Sequence, residues 1–355
     1  MAFVDWRVRN RYWTAYIVPL IVLGIIGYGT WAYAHKLCYN QIYRELGHRS
    51  TCIGLICICC ILDVLLIIIW CETVMVGPGK LPRVPPYMII EAGSTQDTTI
   101  APQTYVSDPN GYPVWCSSCR SLKVGRTRHS SRNGYCVPRF DHYCLWIGGA
   151  VGYSNYRLFL LFTFYFAVLL TIVWITICCY IREIVTVHHR RLNGNLVALL
   201  VITGIGWILT WGLFVSYVYY MSQNMTSIEV MEYKKRKKTP ELAMQRFVCH
   251  YDPETELRYV VKIGNEYKQG SLYKKRGVFA NIAEFMGGNW PLWLVPLPRT
   301  TSYGKKEGRG RLEATLTSPY SETFGPYALE YIQMKIASGD YIHAFSPAKE
   351  EEIDI

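Results

Sequence analysis

Four long apolar blocks separate polar stretches of unequal length. They lie near Thr14–Tyr33, Thr51–Val74, Leu158–Ile181 and Leu196–Met221, and each reaches the roughly 20 residues a helix needs to cross the hydrocarbon core of a bilayer. The pattern predicts an α-helical polytopic membrane protein with four transmembrane helices. A charged leader (Asp5, Arg7, Arg9, Arg11) and the lack of a small-residue cleavage pattern argue against a secretory signal peptide.

The polar stretches set the expected domains. Residues 1–75 hold an N-terminal segment and helices one and two, 76–156 a long loop, 157–221 helices three and four, and 222–300 a small C-terminal region. Residues 301–355 lack sustained periodicity and end in an acidic run, Glu350-Glu351-Glu352, so a largely disordered tail is expected. The loop opens with Gly77-Pro78-Gly79-Lys80-Leu81-Pro82 and Pro85-Pro86, which stop a helix. Ser94–Pro102 reads as a flexible linker. Beyond the fourth block, Phe247–Tyr251 and Leu257–Ile263 flank Asp252-Pro253-Glu254-Thr255 and predict a β-hairpin.

The chain of 355 residues carries a net charge of +11, but its basic residues border the apolar blocks instead of forming one basic domain. Attraction to anionic lipid headgroups accounts for that placement, and no nucleic-acid partner is expected. An even number of spans puts both termini on one side, and Lys234-Lys235-Arg236-Lys237-Lys238 after the fourth argues that this side is cytosolic. The termini and the Cys-rich loop then face the cytosol. Lys36, Arg44 and Arg49, with Arg182, Arg190 and Arg191, weigh against this from the two opposite connections.

Most cysteines outside the loop (Cys52, Cys57, Cys59, Cys60, Cys71, Cys178, Cys179) fall within spans, where small apolar packing is the simpler role. Cys71, Cys178 and Cys179, near span ends, are alternatively sites for lipid. Asp63 stands alone inside the second span. An ionisable residue there is a functional candidate, against which stands a carboxyl hydrogen-bonded to a Tyr, Thr or Trp of a neighbouring span.

Chemistry concentrates between Cys116 and Asn155. Thiols in a cytosolic loop stay reduced, so close spacing points to metal ligands or nucleophiles. Cys116 and Cys119 form half of a zinc knuckle, and His129 and Cys136 supply two more ligands for a closed, structural Cys3His site. Cys144 stands apart, with His142 two residues before it and Asp141 next to that. A thiolate is the reactive form of cysteine; an imidazole can take the thiol proton, and a carboxylate can orient the ring. The competing reading makes His142 and Cys144 two further metal ligands.

These residues resemble the DHHC family of protein S-acyltransferases (palmitoyltransferases), in the DHYC variant found among fungal members. The resemblance rests on Asp141-His142-Tyr143-Cys144, Trp146, Val151-Gly152, Asn155 and Phe159, with Cys116, Cys119, His129 and Cys136 upstream. Gly77-Pro78-Gly79 is similar to the family's Asp-Pro-Gly element, with Gly77 in place of Asp, and Thr226-Ser227-Ile228-Glu229 to its Thr-Thr-x-Glu element. The latter also reads as a helix capping box. Tyr273–Gly277, Asn281, Phe285-Met286-Gly287 and Trp290–Pro296 resemble the family's aromatic C-terminal motif.

The resemblance implies transfer of a long-chain acyl group from palmitoyl-CoA or a similar acyl-CoA, through Cys144, to a juxtamembrane cysteine of a membrane-associated protein. His142 would act as base and Asp141 as its orienting group. Family members usually hold two zincs, but the positions corresponding to the second site are Ser130, Asn133, Tyr143 and Ala150, so one structural zinc per chain is expected. The concerted loss gives the alternative of a catalytically inactive membrane scaffold built on the zinc module. A transporter reading rests on Asp63 alone.

Overall fold

The computed structural model describes residues 6–81, 102–187, 193–240, 245–297 and 322–346. The linker expected at Ser94–Pro102 therefore lies, apart from Pro102, outside the described residues, as do Arg190 and Arg191.

Four helices are long and apolar enough to cross a membrane. Helix α1 (Trp6–Trp31) continues in wider turns over Ala32–Glu45. Its buried Tyr33, Leu37, Cys38 and Ile42 recur every four to five residues, the spacing such turns need to keep one face inward. Lys36 and Arg44, expected in the first connection, thus lie on the helix, and the connection shrinks to Leu46–His48. Helix α2 (Arg49–Val76), α3 (Tyr156–Arg182) and α4 (Gly194–Ser222) complete the bundle. Asn193 caps α4, its Oδ1 accepting from Asn195 N at 2.9 Å.

Helix α3 occupies the centre of the bundle, with Leu158, Leu161, Phe162 and Val173 buried against α1 and α2. On the outer faces Ile53, Ile61, Ile205, Ile208 and Val215 are exposed. A face this apolar needs lipid rather than water around it. Cys52 and Cys59 are buried in the bundle, whereas Cys57, Cys60, Cys178 and Cys179 face outward. Asp63 accepts a hydrogen bond from Thr30 Oγ1 at 2.9 Å, as the structural alternative required, while its other oxygen finds no partner.

The Cys-rich loop folds as three small antiparallel hairpins. They pair β2 (Trp115–Cys116) with β3 (Ser121–Leu122), β4 (Arg128–Ser130) with β5 (Tyr135–Val137), and β6 (His142–Cys144) with β7 (Gly149–Val151). Strand β1 (Thr104–Ser107) instead joins a four-stranded sheet with β8 (Arg246–Asp252), β9 (Leu257–Ile263) and β10 (His343–Phe345), in the order β1-β8-β9-β10. The hairpin expected after the fourth span is β8–β9. Helices α5 (Ser227–Lys238) and α6 (Val278–Met286) lie between α4, the sheet and the loop.

The tail departs from expectation. Residues 322–346 are folded, with helix α7 (Pro326–Ala337) burying Ala328 and Ile332 against the sheet, followed by β10. Two buried positions on one short helix make almost no periodic signal. Packing on β9 supplies the stability that local pattern does not.

Candidate thiol site and metal centre

The β2–β3 turn carries Cys116 and Cys119, and the β4–β5 register sets His129 opposite Cys136. All four ligating atoms lie within 4.8 Å of one another. His129 Nδ1 is 3.6 Å from Cys116 Sγ and 3.3 Å from Cys119 Sγ. Zinc bonds of about 2.0–2.3 Å set ligand atoms roughly 3.5 Å apart, so the quartet fits a tetrahedral zinc.

The positions that the resemblance assigned to a second metal are joined differently. Ser130 Oγ donates to Asn133 Oδ1 at 2.7 Å, and Asn133 Nδ2 donates to Tyr135 OH at 3.3 Å. Tyr143 pairs with Ala150 in the β6–β7 register, donates its hydroxyl to Gly148 O at 2.9 Å, and lies under the Arg132 guanidinium, 4.4 Å from its ring centre. Hydrogen bonds and a cation–π contact occupy these positions.

The β6–β7 hairpin and the residue before it hold Asp141, His142 and Cys144 against the first turn of α3 and the last turns of α4. Two glycines permit its seating. A side chain at Gly152 would meet Val137 Cγ1 at 2.6 Å and Pro78 O at 2.8 Å, and Gly148, at φ +64, turns the hairpin tip against Ala15 of α1. Asn155 fastens the other end: its Oδ1 accepts from Gly152 N at 2.9 Å and its Nδ2 donates to Ala150 O at 3.0 Å and Thr73 O at 3.4 Å.

Asp141 is buried and fully engaged. One oxygen meets His142 Nδ1 at 2.7 Å and accepts from Tyr217 OH at 2.5 Å and Ser227 Oγ at 2.9 Å. The other accepts from Ser227 N at 2.6 Å, at the first turn of α5, where the helix dipole favours a carboxylate. Burial alone would push this carboxyl up, but these hydrogen bonds hold it below its ordinary range. For His142, burial alone would lower the pKa, while the hydrogen bonds to Asp141 and Cys144 raise it to about 9. With Nδ1 turned to Asp141, Nε2 is left for the thiol. Phe159 packs edge-on to the imidazole, ring centres 5.3 Å apart.

Thr226 and Glu229 form a capping box on α5, and Glu229 also meets the buried Arg126 guanidinium. The capping and family readings of this element therefore coincide. Arg126 further donates to Asn224 Oδ1 at 2.9 Å and Asn224 O at 3.1 Å, while Asn224 Nδ2 donates to Tyr273 O at 2.8 Å. Phe285 of α6 lies between Arg126 and Arg139, 5.5 and 4.7 Å from their guanidinium carbons.

Sequence reasoning missed Tyr217, Arg126 and Arg139. Tyr217 has Tyr219 and Tyr220 as near neighbours at the end of an apolar span, and nothing local separates it from them. A buried arginine shows in sequence only when its partner is close, and Glu229 is 103 residues from Arg126.

Four apolar helices and a Cys-rich loop that gathers Asp141, His142 and Cys144 beside a Cys3His quartet define a polytopic membrane protein. Residues 110–234 match the DHHC palmitoyltransferase family. Palmitoyltransferase PFA5 of Candida glabrata is 57% identical over 352 residues, covering 99% of both chains. Palmitoyltransferase PFA5 of Saccharomyces cerevisiae is 44% identical, covering 95% of this chain and 94% of its own length. The Kluyveromyces lactis protein of the same name is 35% identical, with coverage of 93% and 95%. The chain belongs to the DHHC palmitoyltransferase family.

Proposed function

We propose that this protein S-palmitoyltransferase carries the acyl group on Cys144 and delivers it to a juxtamembrane cysteine of a membrane-associated protein. The observation that carries the reading is a thiol beside an imidazole whose other nitrogen is held by a buried carboxylate. The Cys144 proton passes to His142, and the thiolate attacks the thioester carbonyl of a long-chain acyl-CoA. The intermediate collapses, the coenzyme A sulfur leaves with a proton from His142, and Cys144 holds the acyl chain. The substrate cysteine then gives its proton to His142 and attacks in turn, and Cys144 leaves as thiolate. Asp141, Tyr217 and Ser227 keep the ring oriented throughout.

Two cavities support the placement of the acyl chain. One of about 290 Å³ borders His142, Cys144, Phe159 and Leu213. The other, about 180 Å³, lies among the four spans between Ile25, Leu170, Val173, Ile202 and the Thr30–Asp63 pair. Trp146 lines both. An apolar chain attached at Cys144 gains roughly 0.8 kcal/mol per methylene by leaving water for such a space.

Zinc on Cys116, Cys119, His129 and Cys136, one per chain, would supply folding free energy and no reaction step. In the membrane, the loop, the termini and α5 with its basic last turn face the cytosol, where acyl-CoA is available. Purified protein incubated with labelled acyl-CoA should form a hydroxylamine-sensitive adduct that Cys144→Ser abolishes and His142→Ala greatly slows. Normal loading of either variant would remove the assignment.

A further inference from the structure

The segment that sequence reasoning set aside as tail returns a carboxylate to the core of the molecule. Glu322 lies just ahead of α7 with its side chain only 7% exposed, and it pairs with Arg139 Nε and, at 3.5 Å, with Arg126 Nε. Both guanidiniums are nearly sealed from water, at 3% and 2% exposure. Arg126 already has Glu229. Among the described residues the other carboxylate near Arg139 is Glu284, 3.6 Å away and 38% exposed, so Glu322 is its buried counter-charge.

Arg139 also has a backbone reason to need holding. Its φ is +44, a left-handed conformation that non-glycine residues adopt at a cost. It stands two residues before Asp141, where the chain leaves β5 and enters β6. Such strain persists only where the surroundings over-determine it. Here they are the Tyr153 and Phe285 rings, 5.1 and 4.7 Å from the guanidinium, the Glu284 carbonyl, and Glu322.

We propose that Glu322 is a positioning residue for acyl transfer: by pinning Arg139 it fixes the turn that aims Asp141 and His142 at Cys144. The inference rests on the Cys144 reading. Glu322 touches neither substrate nor reacting atoms. The tail is thereby part of the machinery that sets the geometry of the thiol site.

The test is the loading rate of Cys144 from labelled acyl-CoA, per folded molecule, in full-length protein. Glu322→Gln should lower the maximal rate about tenfold, roughly 1.4 kcal/mol, with the half-saturating acyl-CoA concentration unchanged. Glu322→Asp, which keeps the charge, should fall between Gln and wild type. Arg139→Gly removes the side chain and relieves the backbone strain together, so Glu322→Gln, left with only its longer contact to Arg126, should cost far less in that background than in wild type. Wild-type loading in Glu322→Gln would overturn the proposal. So would losses that multiply in the double variant, or lower yield with unchanged loading per folded molecule. Failure of wild type itself to load would instead overturn the Cys144 reading.

Discussion

Two parts of the Cys-rich loop, the pair of hairpins that carries the Cys3His quartet and the single hairpin that carries Cys144, are held in opposite ways. The Cys3His quartet is compact in sequence: its four residues span Cys116 to Cys136, and the β4–β5 register sets His129 beside Cys136. The thiol hairpin draws its support from afar, from Tyr217 of α4, Ser227 of α5, Thr73 of α2 and the Arg139 pair. A structural site can be local because its ion does the joining. A reactive site kept open for substrate has to be steadied from behind.

Removing the ion should break the comparison most visibly. Cys136→Ser leaves an incomplete quartet, so loop folding and protein yield should collapse, while Cys144→Ala keeps the fold and one zinc per chain by elemental analysis. Two zincs per chain, or a zinc lost with Cys144→Ala, would mean that the division between ligands and nucleophile is misdrawn.

Tyr217→Phe sharpens the contrast. It deletes one of the distant hydrogen bonds to Asp141, and the Cys144 loading rate should fall roughly tenfold, as expected for a hydrogen bond to a buried charge worth about 1.5 kcal/mol. Zinc content should stay at the wild-type value. An unchanged loading rate would show that Asp141 and His142 are aligned without α4.

The smallest expected effect is in pH. His142 holds its proton to about 9 in the folded protein, against about 6.5 for the free side chain. Its stabilising contribution is complete below pH 6.5 and is lost as pH rises through 9. The thermal midpoint in detergent should therefore drop between pH 7 and 9.5 by a degree or so more in wild type than in Asp141→Asn. Equal drops would remove the coupling between the two side chains.

What was legible in the sequence follows the same division. Helical spans declare themselves by length and apolarity, and close spacing in sequence marked Cys116, Cys119, His129 and Cys136 as a group, which the structure brings together. The β8–β9 hairpin was readable because its partners are adjacent. Asp141, His142 and Cys144 stood out as a group, but what orients them did not, since Tyr217 lies 76 residues from Asp141. Tail residues 322–346 were misread for a related reason. Glu322 meets a partner 183 residues away, and β10 is a three-residue strand that exists only because β9 offers an edge.

That four-stranded sheet also imposes an order on biosynthesis. Thr104 of β1 bonds His250 of β8 across 146 residues, so at about 5–20 residues per second β1 waits roughly seven to thirty seconds for its partner to emerge. Meanwhile α3 and α4 must enter the bilayer, and the metal hairpins can close by themselves. The far edge of β9 stays bare until residues 343–345 are made, an open invitation to strand pairing with another chain. Nascent chains halted shortly before residue 343 should thus be the aggregation-prone species, and the last strand among the described residues is the one that covers the edge of β9.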